Sequence, residues 1–318
     1  MSFSREVKKE LSVQVPEARH CQLAELAAII SHCGTVCVNS TDRLQLKIVT
    51  ESVFLIRKCF TILEKAFNIY KDIAMRRNGS NQKSRVYLLL IPRHEDAMLV
   101  LQALKMMDQN ANPLEFDGMV NGMLIQKSCC RRAFLRGAFL ACGSLSDPNH
   151  FYHLEFVVNS WEKAEHICSV MGYFQLSAHI IARKRYYVVY LKEGDQIVDM
   201  LNVMEAHQAL MELENIRIYK DIANSVNRKV NCEAANIRKT VSAARGQIED
   251  IQLIQDTVGL EQLPEELQVL AKVRLDNQDA TLKELGEMLI PAVGKSGVNH
   301  RFRKIKDMAD RIRENKEE

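Results

Sequence analysis

Two stretches 109 residues apart are versions of one another, and that duplication constrains the fold more than any other feature. Leu26-Ala-Ala-Ile-Ile-Ser-His-Cys-Gly34 aligns with Leu135-Arg-Gly-Ala-Phe-Leu-Ala-Cys-Gly143. Each closes an apolar run of helical period, 21–33 and 131–142, and each ends in Gly, the residue expected as a helix C-cap. The patterns that follow repeat in the same order. In the first copy, 36–49 alternates as strand, 51–69 is an amphipathic helix, 70–76 and 84–91 are strands around a Gly-Ser-Asn loop, and 95–107 is a helix. In the second, 151–159 predicts a strand, 161–171 a helix, 175–182 and 186–191 strands, and 195–204 a helix. The expected architecture is a duplicated α+β unit joined into one pseudo-symmetric body.

From about Leu213 the strand signal stops and only helical patterns remain. The expected domains are 1–112 and 113–212 for the two copies, 213–230 as a linker, and 231–318 as an all-α C-terminal domain. Six prolines punctuate these segments. With 47% hydrophobic and 26% charged residues, the chain excludes a disordered, collagenous or disulfide-scaffold protein. No window approaches the ~18 consecutive apolar residues of a membrane span, and the start lacks the apolar core of a secretory signal. A soluble cytoplasmic protein with no membrane partner is expected. The nine cysteines include no Cys-x-x-Cys pair, so reduced cysteines are expected, without metal or cofactor. The vicinal pair Cys129-Cys130 has no assigned role.

The net charge of +3 announces no nucleic-acid binder by itself, but its distribution does. Residues 294–306 carry five Lys/Arg and no acid. Just upstream, Thr281 with Glu284 three residues on forms a capping box, and Gly286 offers a flat spot for close packing. After a turn through Pro291, Ser296 is expected as a second N-cap. Val298, Phe302, Ile305, Ala309 and Ile312 then form one buried stripe. Ser296, His300 and Arg303 point away from it, flanked by Asn299 and Lys304. This is helix-turn-helix logic, with Lys295, Ser296, Asn299, His300, Arg301, Arg303, Lys304 and Lys306 as candidate DNA contacts. The turn is longer than in simple repressors, which makes the pair resemble the sigma-factor region that reads the −35 promoter element.

The repeated helices resemble the LAGLIDADG motif of homing endonucleases, in which two such helices pack along a pseudo-dyad. Ala24, Ala27, Ala28 and Ser31 in one copy, and Gly137, Ala138 and Ala141 in the other, supply the small residues close packing needs. The resemblance implies metal-holding carboxylates just before the final Gly, and here those positions are Cys33 and Cys142. A thiol is a poor ligand for magnesium, so no catalytic residue is expected. Asp147 lies past the turn, and the first copy has no acid until Asp42. Arg76, Arg77, Lys83, Arg85, Arg183, Lys184 and Arg185 are candidate secondary DNA contacts, or charged strand edges that discourage aggregation.

The chain as a whole resembles the WhiA family of Gram-positive bacterial regulators. The motifs are Ser2-Phe-Ser-Arg-Glu-Val-Lys-Lys-Glu-Leu11, Phe134-Leu-Arg-Gly-Ala-Phe-Leu-Ala-Cys-Gly-Ser144, Asn231-Cys-Glu-Ala-Ala-Asn-Ile237 with Lys239-Thr240, and Gly297-Val-Asn-His-Arg301. The resemblance implies a degenerate LAGLIDADG-like body tethered to a sigma-region-4-like helix-turn-helix domain. It also implies a non-enzymatic, nucleoid-associated protein that binds double-stranded DNA, with roles in transcription, sporulation, cell division or chromosome segregation. Two other readings stand beside it: an interaction hub for a sigma factor, RNA polymerase or another regulator, and a residual metal-dependent endonuclease.

Overall fold

The computed structural model describes residues 2–38, 43–77, 85–108, 113 and 119–317. They form two compact units, Met1–Tyr219 and Lys220–Glu318. The first opens with α1, Phe3–Val13, an element the sequence reading does not single out. Its Phe3, Val7 and Leu11 recur every four residues and are buried, so the amphipathic period was present.

The duplication is present in the structure. In the first copy α2 (Arg19–Cys33) leads to β1 (Gly34–Val38), β2 (Leu44–Thr50), α3 (Val53–Phe67), β3 (Asp72–Arg77), β4 (Arg85–Ile91) and α4 (His94–Ala103). In the second, α5 (Ser128–Cys142) leads to β5 (Gly143–Leu145), β6 (Leu154–Val158), α6 (Trp161–Tyr173), β7 (His179–Arg183), β8 (Tyr186–Leu191) and α7 (Gly194–Met204). The two antiparallel sheets have equivalent orders, β1-β2-β4-β3 and β5-β6-β8-β7. The stretch 36–49, expected as one strand, is two antiparallel strands in which Val36 faces Leu46. A run of alternating residues carries no mark of where a hairpin turns, and the turn itself lies outside the described residues. The Gly-Ser-Asn loop lies outside them too.

Gly34 and Gly143 follow their helices as expected, but for a different reason. Both have extended backbone, with φ of −85° and −84°, rather than the left-handed conformation of a glycine cap. Each helix runs directly into a strand, and a Cβ at Gly34 would sit 2.5 Å from the Ile30 carbonyl oxygen. At Gly143 it would sit 2.3 Å from the Phe139 ring. Close approach, not φ, selects glycine.

Helices α2 and α5 pack against each other along the middle of the core. Ala24, Ala27, Ala28 and Ala138 have no exposed surface, and a Cβ on Gly137 would lie 2.5 Å from the Glu25 carbonyl oxygen. The small residues therefore set the helix separation. Both sheets bury one face against the helices, through Leu46, Ile48, Leu89 and Ile91 in the first and Leu154, Phe156, Val189 and Leu191 in the second.

Helix α8, His207–Thr257, is one 51-residue helix that includes the whole stretch expected as a linker. Its first turn is capped by Glu10, whose carboxylate accepts the N–H groups of Gln208 and Ala209 at 2.8 and 3.0 Å. The second unit adds α9 (Glu265–Asp276), α10 (Leu282–Met288) and α11 (Lys295–Glu317). Its own core gathers Ile251, Ile254, Leu267, Leu270, Leu285, Val298, Phe302 and Ile305. No helix among the described residues is long and apolar enough to cross a membrane.

Candidate nucleic-acid interface

Helix α10 opens with the capping box that its sequence specifies. Thr281 Oγ1 accepts the Glu284 N–H, and the Thr281 N–H donates back to Glu284 Oε2 at 2.7 Å. That backbone donor holds the Glu284 carboxyl below its usual range. Gly286 has no room for a side chain, because a Cβ there would lie 2.0 Å from the Val293 carbonyl oxygen. The Val293 N–H returns to the Gly286 carbonyl at 2.9 Å and folds the turn onto α10. The flat spot at Gly286 thus receives turn backbone first, with Val298 of α11 beside it.

Ser296 is not an N-cap. The first bond of α11 runs from the Val298 N–H to the Gly294 carbonyl at 3.0 Å, which makes Ser296 the second residue of the helix. Gly294 fills the capping position that a Ser or Thr more often takes. The stripe of Val298, Phe302, Ile305, Ala309 and Ile312 is buried throughout. Lys295, Ser296, Asn299, His300, Arg303, Lys304 and Lys306 are all exposed, and no acid interrupts them before Asp307. Arg301 differs: it is half-buried and its Nη2 lies 2.9 Å from Glu266 of α9.

The candidate contacts of the first unit are more scattered. Arg76 and Arg183 lie on edge strands β3 and β7, on the face away from the core, opposite Val86 and Tyr186. Arg77 is in register with Arg85, which is exposed. Exposed Lys184 and Arg185 form the β7–β8 turn, where Lys184 adopts a φ of 58°. Lys83 and Asp42 lie outside the described residues. Apolar Val49 and Ile181 share these outer faces, half exposed. The structure gathers the first set on one helix and spreads the described members of the second over two sheets.

At the helix ends where the LAGLIDADG resemblance implies carboxylates, burial pushes the Cys33 thiol up to about 11 and the Cys142 thiol up to about 12. Both are protonated at neutral pH, and Cys142 donates to the Ala138 carbonyl at 3.2 Å. The positive charges of Lys8 and Lys163 act on both thiols. Lys163 Nζ is fixed by the Ser31 carbonyl at 2.8 Å. Neutral sulfur beside two ammonium groups is the wrong donor set for a hard divalent cation. Exposed Asp147 is occupied in its own turn, where Oδ1 accepts from the Asn149 backbone and side chain at 2.9 Å.

Three family models match consecutive parts of the chain: the WhiA N-terminal LAGLIDADG-like domain over 19–107, the WhiA LAGLIDADG-like domain over 131–223, and the WhiA C-terminal HTH domain over 226–309. A relative from Alkaliphilus oremlandii, named "Probable cell division protein WhiA", is 51% identical, with 99% of each chain covered. The chain belongs to the WhiA family. Another relative with the same name, from Lachnoclostridium phytofermentans, is 47% identical over 99% of this chain and all of its own. The crystal structure of full-length WhiA from Thermatoga maritima matches with a TM-score of 0.60 and 25% identity, covering 98% of this chain and 99% of that one.

In this WhiA-family chain the residue that sequence reasoning missed is Arg274 of α9. Its side chain is buried, and Nη1 donates to the Ala280 carbonyl at 2.7 Å while Nη2 and Nε reach Gln247 Oε1 at 2.8 and 3.1 Å. The guanidinium also lies 5.5 Å from the Phe302 ring centroid. It fixes the approach to α10 and supports α11 from behind. Burial lowers its pKa, yet arginine stays charged. A lone Arg near the end of a helix gives no sign in sequence of reaching inward.

Proposed function

We propose that the chain is a non-enzymatic DNA-binding protein that acts as a transcriptional regulator, in cell division and chromosome segregation, or in both. The observation that carries this reading is the outer side of α11, where seven exposed polar or basic residues without an acid stand over a fully buried stripe. Asn299 and Arg303 have the two-point donor geometry suited to adenine and guanine edges, whereas Lys295, Lys304 and Lys306 suit phosphate. Arg301 contributes after exchanging Glu266 for phosphate. Arg76, Arg77, Lys83, Arg85, Arg183, Lys184 and Arg185 add diffuse phosphate contacts. Segments 1–112, 113–212 and 231–318 act as the functional parts, with 213–230 connecting them. The name shared by the relatives supports the cell-division role, and DNA binding implies a nucleoid location in the cytoplasm.

The chemistry at Cys33 and Cys142 speaks against phosphodiester cleavage, which relies on oxygen ligands to hold its metals. A protein-partner reading has one observation in its favour. Ile218, Ile222, Val226 and Val230 are exposed every four residues along α8, an apolar stripe suited to a sigma factor, RNA polymerase or another regulator.

Mapping bound DNA across the genome of the native host tests the proposal. Discrete shared sites that vanish in an Arg303→Glu, Lys304→Glu variant support it. An unchanged map, with polymerase subunits co-purifying equally with both proteins, favours the partner reading. Magnesium-dependent nicking of plasmid DNA that is abolished by Asp147→Ala overturns the non-enzymatic claim.

A further inference from the structure

The duplication places His20-Cys21 and Cys129-Cys130 at equivalent positions, 109 residues apart, like Gly34 and Gly143. Each pair occupies the second and third residues of its repeat helix, His20-Cys21 in α2 and Cys129-Cys130 in α5. Because these two helices pack together, the equivalent positions meet. The imidazole Nδ1 of His20 is 3.2 Å from Cys130 Sγ and 3.3 Å from Cys21 Sγ. All four ligand atoms, with Cys129 included, lie within 4.8 Å of one another. No disulfide joins them; all three cysteines are free.

We propose that His20, Cys21, Cys129 and Cys130 form a tetrahedral zinc site that clamps the first turns of the two repeat helices together. Three sulfurs and one imidazole nitrogen are a donor set for Zn²⁺ and exclude magnesium and calcium. With Zn–S near 2.3 Å and Zn–N near 2.0 Å, ligands of a tetrahedral site lie about 3.5–3.8 Å apart. The widest pairs, within 4.8 Å, reach that spacing by a contraction of about an ångström, while the two His20–sulfur distances of 3.2 and 3.3 Å lengthen by a few tenths. Three thiolates and Zn²⁺ leave one net negative charge at the site. It sits at the N-terminal ends of two helices, whose free N–H groups and dipoles favour an anion. Cys21 and Cys130 are buried while His20 and Cys129 are exposed, which gives the metal a rigid half-site and an accessible side. The clamp ties one copy of the duplicated unit to the other, independently of the DNA-contacting helix.

Loading the full-length protein with zinc under reductant, removing free metal and measuring zinc by mass spectrometry tests this directly. The expected result is one zinc per chain in the wild type and in Cys232→Ser, and loss in Cys129→Ser and His20→Ala. Both lost ligands are exposed, and circular dichroism on each variant serves as the check that it remains folded. Cobalt loading should give thiolate-to-metal charge-transfer absorption in the wild type and not in those two variants. Zinc should raise Tm of the wild type and leave theirs unchanged. Absence of retained metal in the reduced wild type, or equal retention in all four proteins, overturns the proposal. So does a disulfide among Cys21, Cys129 and Cys130 that persists under the reducing conditions of the assay.

Discussion

Arg136 of the second repeat helix reaches Glu25 of the first, with Nε 3.2 Å from Oε1 and the carboxylate fully buried. Lys58 of α3 reaches the same oxygen at 2.8 Å and donates to the Leu11 carbonyl at 2.8 Å. Arg136 Nη1 also meets Glu205 at 2.6 Å, at the end of α7. One carboxylate thus holds two cations drawn from both copies. Burial lowers the pKa of Lys58 against the opposing pull of Glu25.

Removing the shared anion leaves the buried Lys58 ammonium with carbonyl partners alone and Arg136 with Glu205 as its one remaining anion. Glu25→Gln should therefore destabilise the first unit by about 3–5 kcal/mol, the usual cost of breaking a buried pair from one side. Urea unfolding followed through Trp161 fluorescence reads this. A change under about 1 kcal/mol would mean that water reaches the network.

Phe302 should behave in the complementary way. Phe302→Ala empties the middle of the second unit's core and should cost about 3–5 kcal/mol there. The first unit, with its separate core, should keep its melting transition. Far-UV circular dichroism with limited proteolysis distinguishes loss of 220–318 from loss of the whole chain.

Arg274→Met keeps volume but removes the donors that hold the Ala280 carbonyl and Gln247. A loss of about 2–3 kcal/mol is expected in the second unit, the scale for hydrogen bonds to a charged group. Because Arg274 supports α11 without facing outward, specific and non-specific DNA binding should fall together. A variant that melts as wild type does would remove Arg274 from this role.

Acid should weaken the first unit. Burial, reinforced by the nearby Lys163 ammonium, depresses His32 to about 3, and burial depresses His166 to about 4. Both rings stay neutral when folded but protonate near pH 6.5 when unfolded. Their contribution is complete above pH 6.5 and is lost as pH falls toward 4. Each histidine adds up to about 1.4 kcal/mol of stability loss per pH unit in that window. Denaturation midpoints between pH 7 and 5 should show this slope, and His166→Gln should flatten it. An unchanged slope would place the acid sensitivity elsewhere.

What was legible in the sequence was whatever obeyed a local period or a repeated motif. The duplicated helices, strand 186–191, the capping box at Thr281 and the stripe from Val298 to Ile312 all belong to this class. What escaped depends on contacts between distant segments. The role of Gly34 rests on how closely Ile30 approaches it, which the residue type does not encode. Ser296 has the right chemistry for an N-cap but sits two residues past the capping position, because Gly294 already supplies the first carbonyl. Arg274 and Arg301 look like surface arginines until the carbonyls and carboxylate around them are seen. The grouping of His20 with Cys21, Cys129 and Cys130 is hidden for the same reason, since each ligand pair is half a site.

The central claim is that α11 reads sequence, and one titration tests it most directly. The substitutions Asn299→Ala and Arg303→Ala, in folded full-length protein, are compared with Arg76→Ala and Arg183→Ala on cognate and scrambled duplexes at several salt concentrations. A base contact contributes about 1–3 kcal/mol of discrimination. The α11 variants should lose preference for the cognate duplex by roughly 5- to 150-fold while keeping much of their non-specific affinity. The sheet-edge variants should weaken on both duplexes alike and lower the salt slope by about one. If Asn299→Ala and Arg303→Ala discriminate as the wild type does, recognition does not reside in α11.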